Sequence, residues 1–279
     1  MRKPRQKAEH YIHSHVGLLV TNRVYTRARK TLGEYFRYMY SRLSGSLHQP
    51  VKYFATADKK LFYINNSKAA CSTIKLAMLK KDLTGIEIRD DQSIHGAIRP
   101  VSPADVRQRE SGAFVFSFVR NPFERLVSLY LNKFRSVRNL EAEGFYFQNY
   151  LNGIFTIDMS FSSFINLVCR IPDNISDNHF RSQAGTIFKD PRIKPDFIGK
   201  IETFQDDWAQ LNKLAGTTMK IERYNSSGEY DYRELYTQEL VEQVAERYRD
   251  DIELFSYSNE YKNLLEHIAR QAGANIRVN

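Results

Sequence analysis

The sequence predicts an α/β fold, a P-loop-like parallel sheet flanked by helices. Two stretches carry that expectation. Leu61–Lys81, LFYINNSKAACSTIKLAMLKK, reads as a short apolar strand, a small-residue loop with one lysine, and a helix. Ala113–Val119, AFVFSFV, reads as a buried central strand that Arg120-Asn121-Pro122 ends and an amphipathic helix follows. Strands alternating with helices argue a parallel sheet.

The totals set the frame. A chain of 279 residues, 42% hydrophobic, suits one large α/β domain, or one domain with an appendage. The division is a basic N-terminal extension, 1–50, and a main domain, 51–279. Residues 1–50 hold ten Lys and Arg against two acids, whereas 51–279 hold 31 against 30, so the basic character belongs to the extension. Such a leader is either solvated or directed at an anionic membrane surface, an acidic polymer or a nucleic acid. Two cysteines, Cys71 and Cys169, imply no disulfide framework. The longest N-terminal apolar run, His15–Val20, is too short for a membrane span or a secretory signal. The expectation is a soluble, cytoplasmic protein, peripheral to a membrane at most.

The elements follow in order. Val24–Leu43 allows an amphipathic helix, and Lys52–Ala57 a first strand. Leu61–Asn65 is a confident strand, after which Ser72 or Thr73 starts a helix with Ile74, Leu76, Ala77 and Leu79 inward. Thr84–Pro103, which contains His95, is irregular, and Pro103–Arg109 a short helix. Asn121 suits an N-cap and Pro122 the first helical position. The next helix carries Phe123, Leu126, Val127, Tyr130, Leu131 and Phe134 at helical spacing. Gly144–Gly153 is an aromatic loop or broken helix. Ser160–Arg170 reads as a capped helix with Phe161, Phe164, Ile165 and Val168 inward. Ile171–Pro195 is a long connection of the kind that often carries function, and holds Asp177-Asn178-His179-Phe180-Arg181. Asp196–Ile201 is a strand and Phe204–Ala215 a helix with Trp208, Leu211 and Leu214 at helical spacing. Lys220–Tyr232 is turn-rich. Thr237 caps a long helix reaching Ile252, and a last helix runs from about Asn259 to Ala272.

Strand, small-residue loop and helix is an arrangement that holds a phosphate, through outward N–H groups, the helix dipole and a lysine. A Walker A loop is excluded, because no glycine lies between Gly45 and Gly85. What remains is Lys68-Ala69-Ala70-Cys71-Ser72-Thr73, small residues with two hydroxyls at the helix start. Taken alone it is a weak signal, and an ordinary strand-to-helix turn with a surface lysine is the leading reading. Arg120 stands where a central strand ends, on the ligand-binding edge of an open α/β sheet. Ser128 lies about two turns along the next helix. The two converge on one anion only if Asn121-Pro122 turns the chain sharply. Arg125 either adds charge there or is solvated.

Ser67–Thr73 together with FVRNPFERLVS, ending at Ser128, resembles the two cofactor signatures of the sulfotransferases. The match is nearest to carbohydrate sulfotransferases of the chondroitin and dermatan 4-O- and uronyl 2-O- type. DFIGKIET, Asp196–Thr203, is similar to that family's YDFIGKxET strand. Asn178–Arg181 is similar to its EHWR segment, with Phe180 in place of tryptophan. The resemblance implies the sulfotransferase fold and 3′-phosphoadenosine 5′-phosphosulfate as donor. By position, Lys68, Ala69, Ala70, Cys71, Ser72 and Thr73 would hold the 5′-phosphosulfate, and Arg120 and Ser128 the 3′-phosphate.

Transfer to a hydroxyl by in-line displacement calls for positive charge at the leaving oxygen, a role for Lys68, and for a general base. His95 and His179 compete as the base, with His95 slightly preferred because the uronyl 2-O-enzymes carry a histidine there. Glu202 is a third candidate, or an anchor for a cation. No metal is expected. The resemblance implies a carbohydrate or glycolipid acceptor. The charge of residues 1–50 would suit contact with an anionic polymer or a membrane, and no nucleic acid is expected. The animal members carry a cysteine pair where Gln183–Pro191 has none, which favours a bacterial-type enzyme. The alternatives are a nucleotide-dependent kinase and a non-enzymatic nucleic-acid-binding protein.

Overall fold

The computed structural model describes residues 50–82, 94, 97–135, 155, 159–221 and 231–277, with side chains to 273. The expected helix at Val24–Leu43, the aromatic loop Gly144–Gly153 and most of Thr84–Pro103 and Lys220–Tyr232 lie outside these residues. The chain divides into two compact units, residues 1–47 with 145–156, and residues 48–144 with 157–279. All elements named below belong to the second.

Its centre is a four-stranded sheet in the order β1 (Tyr53–Ala55), β2 (Leu61–Ile64), β3 (Phe114–Val119) and β4 (Phe197–Lys200). Strands β2, β3 and β4 run parallel, as expected; β1 pairs antiparallel with β2, Tyr53 opposite Ile64. The reason is the connector. Residues 56–60 form a tight turn in which Lys59 N–H donates to the Thr56 carbonyl and Leu61 N–H to the Thr56 hydroxyl. So short a link allows only antiparallel pairing, since a parallel crossover needs a dozen residues or more.

Every residue of β2 is buried, and so is β3 after Phe114, which explains their unbroken apolar runs. Phe118 of β3 packs edge-on against Phe116, Phe197 and Phe204 and lies close to Trp208. Gly199 of β4 faces this ring, and a Cβ there would stand 2.4 Å from Phe118 Cε1. Gly199→Ala is therefore expected to destabilise the fold by about 1–3 kcal/mol, the usual cost of overpacking, measurable by urea denaturation.

Helix α1 (Cys71–Asp82) follows β2 and starts at Cys71, one residue earlier than the hydroxyls suggest. Ile74 N–H donates to the Ala70 carbonyl, so the backbone of Ala70 opens the helix. The short α2 (Pro103–Arg107) begins with a capping box between Ser102 and Asp105. Helix α3 (Pro122–Tyr130) begins as predicted, with the Asn121 side chain accepting from Phe123 N–H and Pro122 at the first position. It continues as a π-helical turn over Leu131–Arg135. Tyr130 and Phe134 there pack on Phe164 of α4 (Phe161–Arg170), whose Phe161, Phe164, Ile165 and Val168 are all buried.

The stretch 171–195 is more ordered than its sequence suggests, holding a 3-10 turn at Asp173–Ile175 and α5 (Gln183–Ile187). In α6 (Phe204–Leu214), Trp208 and Leu211 are buried, but Leu214 in the last turn is exposed. The predicted long helix after Thr237 is two, α7 (Gln238–Arg247) and α8 (Arg249–Leu254). It breaks at Tyr248, which is buried and donates its hydroxyl to the Phe180 carbonyl at 2.5 Å. Helix α9 (Ser258–Arg277) ends the described chain. No described helix is long and apolar enough to cross a membrane.

Candidate active site

The carboxyl ends of β2 and β3 lie side by side, which brings the Lys68 loop next to Arg120. In the loop, Lys68 and Ala70 both have left-handed backbones, φ 67° and 53°, with Ala69 buried between them. Alternation of this kind turns successive N–H groups toward one point and makes a concavity suited to an anion. Each such residue costs about 1–2 kcal/mol when it is not glycine. The first turn of α1 behind the loop carries no acid, so no carboxylate of that turn offsets the positive end of its dipole.

Arg120 reaches back over this loop. Its Nη1 lies 3.5 Å from the Lys68 carbonyl and its Nη2 donates to Glu124 at 2.6 Å. Its Nε is buried with no hydrogen-bond partner among the described residues. Ser128 is buried, and its spacing of four residues from Glu124 places both on one face of α3. Lys68 and Arg120 are thus brought together, with Ser128 further along the helix that Arg120 precedes.

Arg125 is neither solvated nor a free charge. It is 1% exposed, and its guanidinium donates to three main-chain carbonyls: Ser67 at 3.0 Å, Arg181 at 2.8 Å and Asn178 at 3.2 Å. Burial lowers its pKa, while Tyr248, Asp251 and Asp173 pull it back up. The planar fork of arginine suits this divergent bonding, which an ammonium could not reproduce. Arg125 therefore fastens the segment 178–181 against the residue before Lys68.

That segment carries His179. The carboxylate of Asp177, itself buried, accepts from His179 N–H at 2.9 Å and lies 2.6 Å from Nδ1. With Nδ1 carrying its proton to Asp177, Nε2 is the basic nitrogen. The His179 side chain is 28% exposed, so solvent and ligands can reach it. His95, the other candidate base, lies outside the described residues.

Burial raises the pKa of Glu202, the third candidate. Its carboxylate accepts from Asn121 N–H at 2.6 Å and from the Tyr257 hydroxyl at 3.0 Å, holding the turn after Arg120. Cys169 is partly buried, and desolvation pushes its thiol up to about 12, which disfavours the thiolate. One metal-type grouping occurs among the described residues, Asp231, Glu234 and His267, with ligand atoms within 4.8 Å of one another. Asp231 there is already paired with Arg233, and Glu234 accepts from Gln271.

Sequence reasoning missed Arg125 as a clamp, Asp177 as the partner of His179, and the buried Gln183. Only Asp177 left a local signal, its spacing of two residues from the histidine.

A profile of the sulfotransferase family matches residues 51–258. Carbohydrate sulfotransferase 14 of Mus musculus is 33% identical over 97 residues, 33% of this chain and 26% of that protein. Carbohydrate sulfotransferase 11 of Rattus norvegicus is 26% identical over 231 residues, 72% of this chain and 65% of that protein. The chain thus spans less than two thirds of the length of these relatives. No solved structure is a match. A family match over most of the chain, with the Lys68 loop and Arg120 meeting at one sheet edge, leads to one assignment: the chain belongs to the sulfotransferase family.

Proposed function

We propose that the protein transfers a sulfuryl group from 3′-phosphoadenosine 5′-phosphosulfate to a carbohydrate hydroxyl. The observation that carries this reading is the Arg125 clamp, which holds the His179–Asp177 pair beside the Lys68 loop. The names of the relatives, carbohydrate sulfotransferases, support the acceptor class.

The residues present suit such a donor. The left-handed turns at Lys68 and Ala70 and the start of α1 offer N–H groups to a 5′-phosphosulfate, with Ala69, Cys71, Ser72 and Thr73 completing the cradle. The unpartnered Nε of Arg120 offers a donor to a 3′-phosphate, and Ser128 a hydroxyl. When bound, the donor supplies a sulfuryl group on a phosphate leaving group. Lys68 would place positive charge beside the leaving oxygen, which gains negative charge as the S–O bond breaks. His179 Nε2 takes the proton of the acceptor hydroxyl, and Asp177 holds the ring and stabilises the imidazolium. Residues 1–50, with their excess of basic side chains, guide an anionic polymer or membrane-bound acceptor. Unchanged activity on a polymeric acceptor after their removal would count against that last role.

The test is transfer of labelled sulfate to a panel of glycans, glycolipids and small alcohols. Transfer to glycans is expected, with His179→Ala lowering the rate by about 10²–10⁴-fold and Asp177→Asn by a smaller factor. Full loss in His95→Ala with little change in His179→Ala would reassign the base. Absence of transfer from this donor to any acceptor would overturn the reading.

A further inference from the structure

We infer that Gln183 is a positioning residue that fixes the two anion-binding loops at a set distance from each other. The inference rests on the proposed reading that Lys68 and Arg120 hold opposite ends of one bisphosphate-type donor.

Gln183 is fully buried in the first turn of α5. Its Oε1 accepts from the Asn66 side-chain amide at 2.9 Å and from Arg120 N–H at 2.9 Å, and its Nε2 donates to the Arg120 carbonyl at 2.8 Å. The amide orientation is forced, because a flipped amide would set N–H groups against two donors. Asn66 also donates to the Phe118 carbonyl at 2.9 Å, so its place is fixed on β3 as well.

Gln183 thus grips the Arg120 peptide from both sides, just past the last paired residue of β3, Val119. The same oxygen holds Asn66, two residues before Lys68. One side-chain amide roots both loops. The amide is itself anchored, since the N–H groups of Gln183 and Ala184 donate to the two oxygens of the buried Asp251 at 2.9 and 2.8 Å. The distance between the two anion sites is therefore set before any ligand arrives, and a ligand with two phosphates gains affinity because neither site has to be ordered on binding.

The experiment compares adenosine 3′,5′-bisphosphate with adenosine 5′-monophosphate by calorimetry on the whole protein, in wild type, Gln183→Met and Gln183→Glu, with thermal melting alongside. Glutamate keeps the acceptor but faces the Arg120 carbonyl with a second oxygen. The wild type is expected to prefer the bisphosphate. In both variants that preference should fall by roughly tenfold, the size expected for loss of a buried hydrogen bond, while monophosphate affinity holds within about threefold. If neither variant folds, Asn66→Ala, which removes one arm of the network, is expected to show the same fall. An unchanged preference in folded variants, or equal weakening of both ligands, overturns the role of Gln183. A wild type with no preference for the bisphosphate overturns the donor reading beneath it.

Discussion

Methionine in place of Arg125 is expected to cost about 3–5 kcal/mol of folding stability, the usual penalty for removing one side of a buried charged network. The cause is specific. Three main-chain carbonyls, of Ser67, Asn178 and Arg181, lose their donor inside the protein. Asp251 and Asp173, whose fields favour the guanidinium, lose a compensating charge. Lysine is expected to recover half of the loss or less, because an ammonium cannot span the three acceptors. Urea denaturation of the three proteins measures this. A loss below about 1 kcal/mol in the methionine variant would show the clamp to be dispensable.

Alanine at Lys68 should behave in the opposite way. Lys68 is only partly buried and sits in a loop whose backbone shape alanine can also adopt, as Ala70 does. Folding stability should therefore change little, while sulfate transfer falls by about 10²–10³-fold, the scale of losing one preorganised electrostatic group. Arg120→Ala should act similarly on binding. Its ion pair with Glu124 is largely shielded, with the side chains 14% and 31% exposed, so some folding stability is expected to be lost as well. Affinity for adenosine 3′,5′-bisphosphate should drop by about 30-fold or more, because the phosphate loses a charged donor. Calorimetry and a melting curve on the same samples separate the two effects. Retained bisphosphate binding in Arg120→Ala would remove that residue from the donor site.

The contrast between these residues also shows what a sequence can reveal. Local signals were read well. Asn121-Pro122 capped α3 as expected, and the inward stripe of α4 is the one its spacing predicted. That the Lys68 loop and Arg120 adjoin at one sheet edge was legible because each lies at the end of an apolar strand. The antiparallel β1 was legible in principle, since its connector to β2 is too short for a crossover. Arg125 was not. Its partners are main-chain carbonyls more than fifty residues away, and any residue supplies a carbonyl. Gln183 was hidden for the same reason, as its role depends on Asn66, Arg120 and Asp251 meeting in three dimensions. Leu214 and the break at Tyr248 show that helical spacing predicts a face better than it predicts where that face stops being covered.

The two left-handed residues in the Lys68 loop have a further consequence. Glycine would adopt those backbones without strain, yet positions 68 and 70 are lysine and alanine. A glycine loop wanders when empty and gives up that freedom when an anion arrives. A loop of substituted residues has already given it up when the chain folds. The ordering cost is borne by the folded state rather than by the encounter with the donor, so for the proposed donor loop affinity is drawn from stability. The same trade makes the loop intolerant of drift, because a chain that relaxes those two residues would gain stability and lose the shape of its anion cradle together.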